Sequence, residues 1–181
     1  STFEPKPNEK IKVARLFQKI DSILDKNMAI VADIGDSLFG ASELKVHHRN
    51  HFLSPAYYTS MGFAIPGALG AQVANPKIRP IVIVGDGAFQ MSVTEISTII
   101  HRGLNPIIFI LNNRGYTTER FLLDGGFNDV RNWNYTAVTQ LFGGGNPFVV
   151  QTEEELQEAV KFALDSSDLS LIEVQLDSKD I

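Results

Sequence analysis

Residues 82–90, VIVGDGAFQ, decide the fold and pose its chemical question. Ile81, Val82, Ile83 and Val84 are an unbroken run of apolar β-formers, the pattern of a strand buried on both faces. The run ends in an aspartate held between two glycines, Gly85-Asp86-Gly87, and Ala88 and Phe89 open a helical pattern. Glycines at the end of a buried strand let the backbone turn tightly or approach a ligand closely, as phosphate-binding loops do. A carboxylate in the middle of such a turn needs a separate reason.

Outward from this stretch the same alternation recurs. On the amino-terminal side, Ile11, Val13, Leu16, Phe17, Ile20 and Leu24 follow helical spacing from Glu9. NMAIVADIGDS (27–37) is a buried strand ending in a polar turn, and SMGFAIPGALGAQVA (60–74) a small-residue helix. On the other side come a helix over 88–103, a strand NPIIFILNN (105–113), a helix over 134–144 and a strand PFVVQ (147–151). A helix over 152–166 and a strand LSLIEVQL (169–176) complete the series. Thr152 and Glu155 predict a capping box at the start of the last helix. Apolar strands alternating with helices predict an α/β fold, an open doubly wound parallel sheet of about six strands with helices on both faces. The polar opening, with two prolines, reads as a linker over residues 1–8, which leaves 9–181 as one domain.

Composition bounds the function. The chain has 181 residues, 44% of them hydrophobic, enough for one sizeable core. A net charge of −5 offers no basic stripe, so no nucleic-acid partner is expected. The absence of cysteine removes disulfides, zinc ribbons and thiol catalysis, and fits a reducing, cytoplasmic setting. No apolar run approaches the roughly 20 residues of a membrane span, and the opening lacks a signal-peptide pattern, so a soluble chain with no membrane partner is expected.

Open α/β sheets bind ligands at the carboxyl ends of their strands. Three such ends are chemically unusual: ADIGDS (32–37), GDGAF (85–89) and NNRGYTTE (112–119). No GxGxxG or Walker lysine motif is present. Asn113 follows Asp86 by 27 positions, the length of one helix-and-strand crossover. If the two strands are neighbours, their ends lie about 4.8 Å apart. A carboxylate and an amide oxygen there are hard ligands suited to Mg²⁺ or Ca²⁺. The helix after the turn favours an anion, yet no Lys or Arg occurs between Arg79 and Arg102. Two negative charges about 4 Å apart repel by roughly 4 kcal/mol at an effective dielectric of 20, against about 0.3 to 1 kcal/mol returned by a helix terminus. A phosphate beside Asp86 therefore requires a cation between them. The plain alternative is that Asp86 caps a helix and Asn112-Asn113 forms a turn; the two motifs at crossover spacing, followed by Gly115, argue against it.

At these residues the sequence resembles the thiamine diphosphate enzymes, whose signature is GDG, a spacer of this length, and NN. NNRGYTTE followed by NDVRNWNY (128–135) is similar, more narrowly, to the pyruvate and indolepyruvate decarboxylase family of 2-oxo acid decarboxylases. The resemblance covers nearly the whole chain and corresponds to the carboxy-terminal, diphosphate-binding domain of such an enzyme. It implies thiamine diphosphate with Mg²⁺, for which Ca²⁺ could substitute, the metal being held by Asp86, Asn113 and the carbonyl of Gly115. It implies cofactor contacts by backbone groups of Gly87, Ala88 and Phe89, with Asp36 and Ser37 from the earlier strand end, and further contacts at Gly85 and Tyr116. Met61 matches the bulky residue that props the cofactor into its bent shape, and the Thr59 carbonyl would accept from the cofactor's amino group. Glu119 matches the active-site glutamate near the reacting carbon. Ala88 stands where many relatives carry a hydroxyl residue, and Ile34 where a threonine is common.

In the resembling enzymes the glutamate that activates the aminopyrimidine lies on a separate pyrimidine-binding domain, usually of a second subunit. No such domain is recognisable here, so the chain reads as half of an active site, with that domain, a small 2-oxo acid and a homo-oligomeric assembly as expected partners. Three alternatives stay open: an excised decarboxylase domain, a small subunit or fragment of another thiamine enzyme (sulfopyruvate or phosphonopyruvate decarboxylase, or an acetolactate synthase-like carboligase), and a binding module that has lost the chemistry. His47 and His51 would share a face if helical and could then bind a transition metal, but their flanks read as loop and strand.

Overall fold

The computed structural model describes residues 2–180. Its centre is a six-stranded, all-parallel sheet in the order β2-β1-β3-β4-β6-β5. The strands are β1 (Met28–Ala32), β2 (Phe52–Leu53), β3 (Arg79–Gly85), β4 (Ile107–Asn112), β5 (Asn146–Val150) and β6 (Ser170–Gln175). Alternation along β4 shows how the sheet is covered. Ile107, Phe109 and Leu111 face one core with Leu16, Phe17 and Ile20 of α1 (Val13–Ile23) and Leu156, Ala159 and Val160 of α8 (Glu153–Asp165). Ile108 and Ile110 face the other, with Ile65 and Ala68 of α3 (Ala64–Ala74), Phe89 of α4 (Asp86–Ser92), Ile96 and Ile99 of α5 (Glu95–His101), and Val138 of α7 (Ala137–Phe142). Two short helices, α2 (Asp36–Ser42) and α6 (Thr117–Leu122), follow β1 and β4. This is the doubly wound α/β sheet expected from the pattern. Among the described residues no helix is long and apolar enough to cross a membrane.

The chain reverses its direction of winding at β1: it goes outward to β2, then returns past β1 to β3 and continues to β4. The carboxyl ends of β1, β3 and β4 consequently flank the switch point where such sheets open a crevice. The capping box is formed, with Glu155 N–H donating to Thr152 Oγ1 (3.3 Å) and Thr152 N–H to Glu155 Oε2 (3.0 Å).

Several boundaries differ from expectation. The first helix starts at Val13, not near Glu9, because residues 9–11 run extended against the start of α8: Ile11 N–H reaches Gln151 O (3.0 Å) and Glu153 N–H reaches Glu9 O (3.0 Å). In its first turn, Arg15 pairs with buried Glu153 (2.6 Å) and stacks on the Phe3 ring (4.5 Å). The helix expected over 88–103 begins at Asp86 and is divided into α4 and α5 at Val93-Thr94, where bonding tightens to three-residue spacing (Ile96 N–H to Val93 O, 3.1 Å). The helix expected over 60–74 begins only at Ala64, since Gly62 takes a left-handed φ of +86°. Met61 therefore sits on a loop. The segment around His47 and His51 is not helical, so the shared face is not formed; His47 Nε2 lies 3.1 Å from Leu24 O.

Candidate functional site

Register brings the proposed ligands together. Gly85 pairs with Leu111, so Asp86 and Asn113 leave adjacent strands side by side. Ala32 pairs with Ile83 on the other flank, which places Ile34, Gly35, Asp36 and Ser37 beside the same opening. These ends line a cavity of about 300 Å³ whose wall also includes Thr59, Met61, Gly87, Ala88, Gly115, Tyr116 and Glu119. Of the site residues expected from the sequence, Phe89 does not line it. Its ring is fully buried and packs edge-on against Tyr135, 5.8 Å between centroids, so only its backbone faces the turn.

Asp86 is 2% exposed. One oxygen, Oδ1, accepts the Gly87 N–H at 2.7 Å; the other, Oδ2, has no hydrogen-bond partner among the described residues. Burial pushes its carboxyl up to about 6, against backbone N–H groups of Gly87, Arg114 and Gly115 that favour the charged form. Asn113 sits opposite. Its Nδ2 donates to Thr117 Oγ1 and to Asp36 Oδ2 (3.2 Å), while its Oδ1 takes one long bond from Gly115 N–H (3.3 Å) and keeps acceptor capacity. Burial likewise raises Asp36, with the Thr117 hydroxyl opposing. Ser37 Oγ is buried and unpartnered.

The cavity lining contains three carboxylates, Asp36, Asp86 and Glu119, and among the described residues no Lys, Arg or His. Buried polar atoms are normally satisfied; of the seven buried side-chain atoms without a hydrogen-bond partner among the described residues, two belong to the cavity lining, Asp86 Oδ2 and Ser37 Oγ. The donor set beside Asp86 is entirely oxygen, a chemistry that fits Mg²⁺ or Ca²⁺.

The segment after β4 holds its shape through distant contacts. Arg114 has a left-handed φ of +63°. A Cβ at Gly115 would stand 2.7 Å from the Asn128 carbonyl oxygen, so that position requires glycine. Tyr116 N–H donates to Asn128 O (2.9 Å) and Val130 N–H to Arg114 O (3.2 Å). Asn112, turned away from the cavity, uses Nδ2 to bind Asn132 Oδ1 (2.8 Å) and Glu173 Oε1 (2.7 Å). Gln90 reaches Arg131 O (2.8 Å) and the Tyr135 hydroxyl (2.9 Å); burial pushes that phenol up to about 12. Residues 128–135 thus brace the Asn-Asn turn from behind.

Glu119 is exposed and belongs to α6, not to a loop. Sequence reasoning missed Asp33 and Thr117. Asp33 is fully buried at the end of β1 and binds backbone N–H groups of residues 62–64. Its signal was a charge immediately after an apolar strand, in a stretch already singled out for Asp36 and Ser37.

The cavity at the switch point of this parallel sheet is acidic, and its described lining has no cationic side chain. The profile of the thiamine pyrophosphate enzyme C-terminal TPP binding domain matches residues 33–174, and the chain belongs to that family. It is 38% identical over 162 residues to pyruvate decarboxylase 4 of Arabidopsis thaliana, covering 87% of this chain and 27% of that protein. It is 35% identical over 179 residues to the probable pyruvate decarboxylase Pdc101 of Schizosaccharomyces pombe, covering 96% and 32%. A thiamine diphosphate-dependent 4-hydroxybenzoylformate decarboxylase of Rhodococcus jostii RHA1 has the same fold, with a TM-score of 0.85 at 24% identity over 100% of this chain and 36% of that one. The chain spans roughly a quarter to a third of the length of these relatives.

The raised Asp86 carboxyl gives a signed prediction for the metal-free chain. A carboxyl whose folded value lies above its unfolded one costs stability as pH rises through the folded value, here about 6. Asp86→Asn should therefore be more stable than the unmodified chain at pH 7.5, by about 1–3 kcal/mol, and the advantage should vanish towards pH 4. Thermal melts without divalent cation at the two pH values measure it.

Proposed function

We propose that this chain is the diphosphate- and Mg²⁺-holding part of a thiamine diphosphate-dependent, non-oxidative 2-oxo acid decarboxylase. The observation that carries the reading is Asp86 Oδ2, buried and without a hydrogen-bond partner among the described residues, on a side chain that lines, together with Asn113, a cavity whose described lining has no cationic side chain. Asp86, Asn113 Oδ1 and the Gly115 carbonyl would hold the cation, with Ca²⁺ a workable substitute for Mg²⁺. Backbone groups at Gly87, Ala88 and Phe89, with Ser37 Oγ, would line the diphosphate. Gly85, Asp36 and Tyr116 line the same channel, and Thr59 and Met61 form the wall that orients the cofactor. The cofactor, when bound, supplies the electron sink for loss of CO₂ from a 2-oxo acid. Glu119, at the cavity wall and exposed, is placed to hold or pass a proton near the reacting carbon.

The rest of the active site would come from a pyrimidine-binding domain of the full-length protein, in a homo-oligomer. Two exposed apolar groups at the site support this: Tyr57, Tyr58 and Met61 beside Thr59, and Phe121, Leu122 and Leu123 after Glu119. Such surface left to water would neither exclude solvent from the reaction nor stay monomeric. On this reading residues 9–181 are the domain, residues 1–8 lead into it, and the lack of cysteine suits the cytoplasm. A domain of another thiamine enzyme, such as an acetolactate synthase-like carboligase or a sulfopyruvate or phosphonopyruvate decarboxylase, would use the same metal site; the match to pyruvate decarboxylases over 87% of the chain favours the decarboxylase.

Isothermal titration tests the metal site. In the assembled enzyme, Asp86→Ala and Asn113→Ala should each abolish Mg²⁺-dependent binding of thiamine diphosphate while leaving the fold intact; unchanged affinity in either would remove the reading. Glu119→Gln should separate chemistry from binding: turnover on 2-oxo acids should fall by about 10²-fold or more, with cofactor affinity nearly unchanged.

A further inference from the structure

Asp33 is a fully buried carboxylate with no role in the scheme above. Its own N–H still belongs to the sheet, donating to Ile83 O at 2.9 Å. Its carboxylate has left it. Oδ1 accepts the N–H of Ile34 (3.1 Å) and of Gly62 (3.2 Å), Oδ2 accepts the N–H of Ala64 (2.9 Å), and the Phe63 N–H adds to this set. Burial raises the carboxyl, and these N–H groups oppose the shift. A buried carboxylate is costly unless it is fully hydrogen-bonded. Here the partners are all backbone, and they come from two places about 30 residues apart in sequence.

The second place is the start of α3. That helix has no side-chain cap from its own N-cap residue, Phe63, whose backbone is already helical. Asp33 supplies the missing cap from just past the end of β1, with a negative charge at the positive end of an 11-residue helix. The residues just before it are strained. Thr59 has φ +58° and Gly62 φ +86°, so Met61 stands between two left-handed positions, one of which is not glycine. Such conformations persist only where their surroundings over-determine them. One anchor is local, Thr59 N–H to Pro55 O at 2.7 Å; the other is Asp33.

We propose that Asp33 is a positioning residue for the cofactor site: its carboxylate ties Ile34, in the cavity lining, to Gly62–Ala64, the residues that directly follow the lining residues Thr59 and Met61, and so sets where those two stand. An asparagine there would keep one acceptor oxygen for Ile34 and Gly62 but would turn its NH₂ against the Ala64 N–H, and a serine would offer a single shorter-reaching hydroxyl. The inference rests on the thiamine diphosphate reading of the cavity, but its geometric half stands alone.

The test uses the full-length protein that carries this domain, with Asp33→Asn and Asp33→Glu. Asp33→Asn places an NH₂ against backbone donors. It should weaken thiamine diphosphate binding and lower kcat, each by about tenfold or more, while KM for the 2-oxo acid moves much less. Asp33→Glu keeps both acceptor oxygens and should recover most of the loss. A purely structural role predicts a lower Tm with normal cofactor affinity and kcat below that Tm, and that result overturns the proposal. Should Asp33→Asn fail to fold, Gly62→Ala strains the same link from the other side; it should lower cofactor affinity at near-normal Tm, and unchanged affinity overturns the proposal. Hydrogen exchange separates this from failure of the functional reading. If the unmodified protein binds no thiamine diphosphate, that reading fails, whereas the Gly62 and Ala64 amides should still be protected and exchange at least about tenfold faster in Asp33→Asn. Equal exchange in the two proteins would end the positioning role.

Discussion

The site depends on one unsatisfied interaction, the bare oxygen of Asp86 at the end of β3. A fold does not bury a carboxylate oxygen without a partner unless something else completes it. Burial already drives the Asp86 carboxyl up to about 6, so the metal-free fold bears a cost near neutral pH. Asp36 and Glu119 share the cavity, and no cationic side chain among the described residues offsets them. On the proposed reading a cation would satisfy the orphan oxygen and neutralise the wall, and would turn a cavity that repels a diphosphate into one that holds it.

The rest of the architecture places that oxygen. Parallel pairing of β1, β3 and β4 brings three loops to one end, and the reversal of winding at β1 opens the space between them. Gly115 lets the chain pass close under the Asn128 carbonyl, which aims the backbone after Asn113 back at the metal position. Residues 128–135, the sheet residue Glu173 and α4's Gln90 then lock that turn from the side away from the cavity. The wall facing the open side is apolar and exposed at Tyr57, Tyr58, Leu122 and Leu123, as expected of a surface completed by another part of the protein.

Much of this was legible in the sequence because it rests on local pattern. The apolar runs 81–84 and 107–111 could only be buried strands, and the spacing from Asp86 to Asn113 matches one crossover. Thr152 and Glu155 announced their helix three residues apart. What escaped depends on contacts between distant segments. Asp33 shows in sequence only as a charge after an apolar strand; its role is not legible there because its partners are backbone N–H groups about 30 residues downstream. The same contact delays α3 to Ala64 and puts Met61 on a loop, against the helical pattern of 60–74. The Phe89 ring packs in the core against Tyr135, which the sequence pattern around the glycine turn does not announce. Glu119 lies on a helix too short, at six residues, to leave a periodic trace.

The central claim is that a divalent cation at Asp86 joins this chain to a diphosphate. Anomalous X-ray scattering from crystals of the full-length protein grown with Mn²⁺ and thiamine diphosphate tests it most directly. The account predicts a single strong manganese peak within coordination distance of Asp86 Oδ2, Asn113 Oδ1 and the Gly115 carbonyl oxygen, and touching the diphosphate. A diphosphate bound in the cavity with no metal at Asp86, or a manganese ion elsewhere with Asp86 Oδ2 still bare, would contradict it.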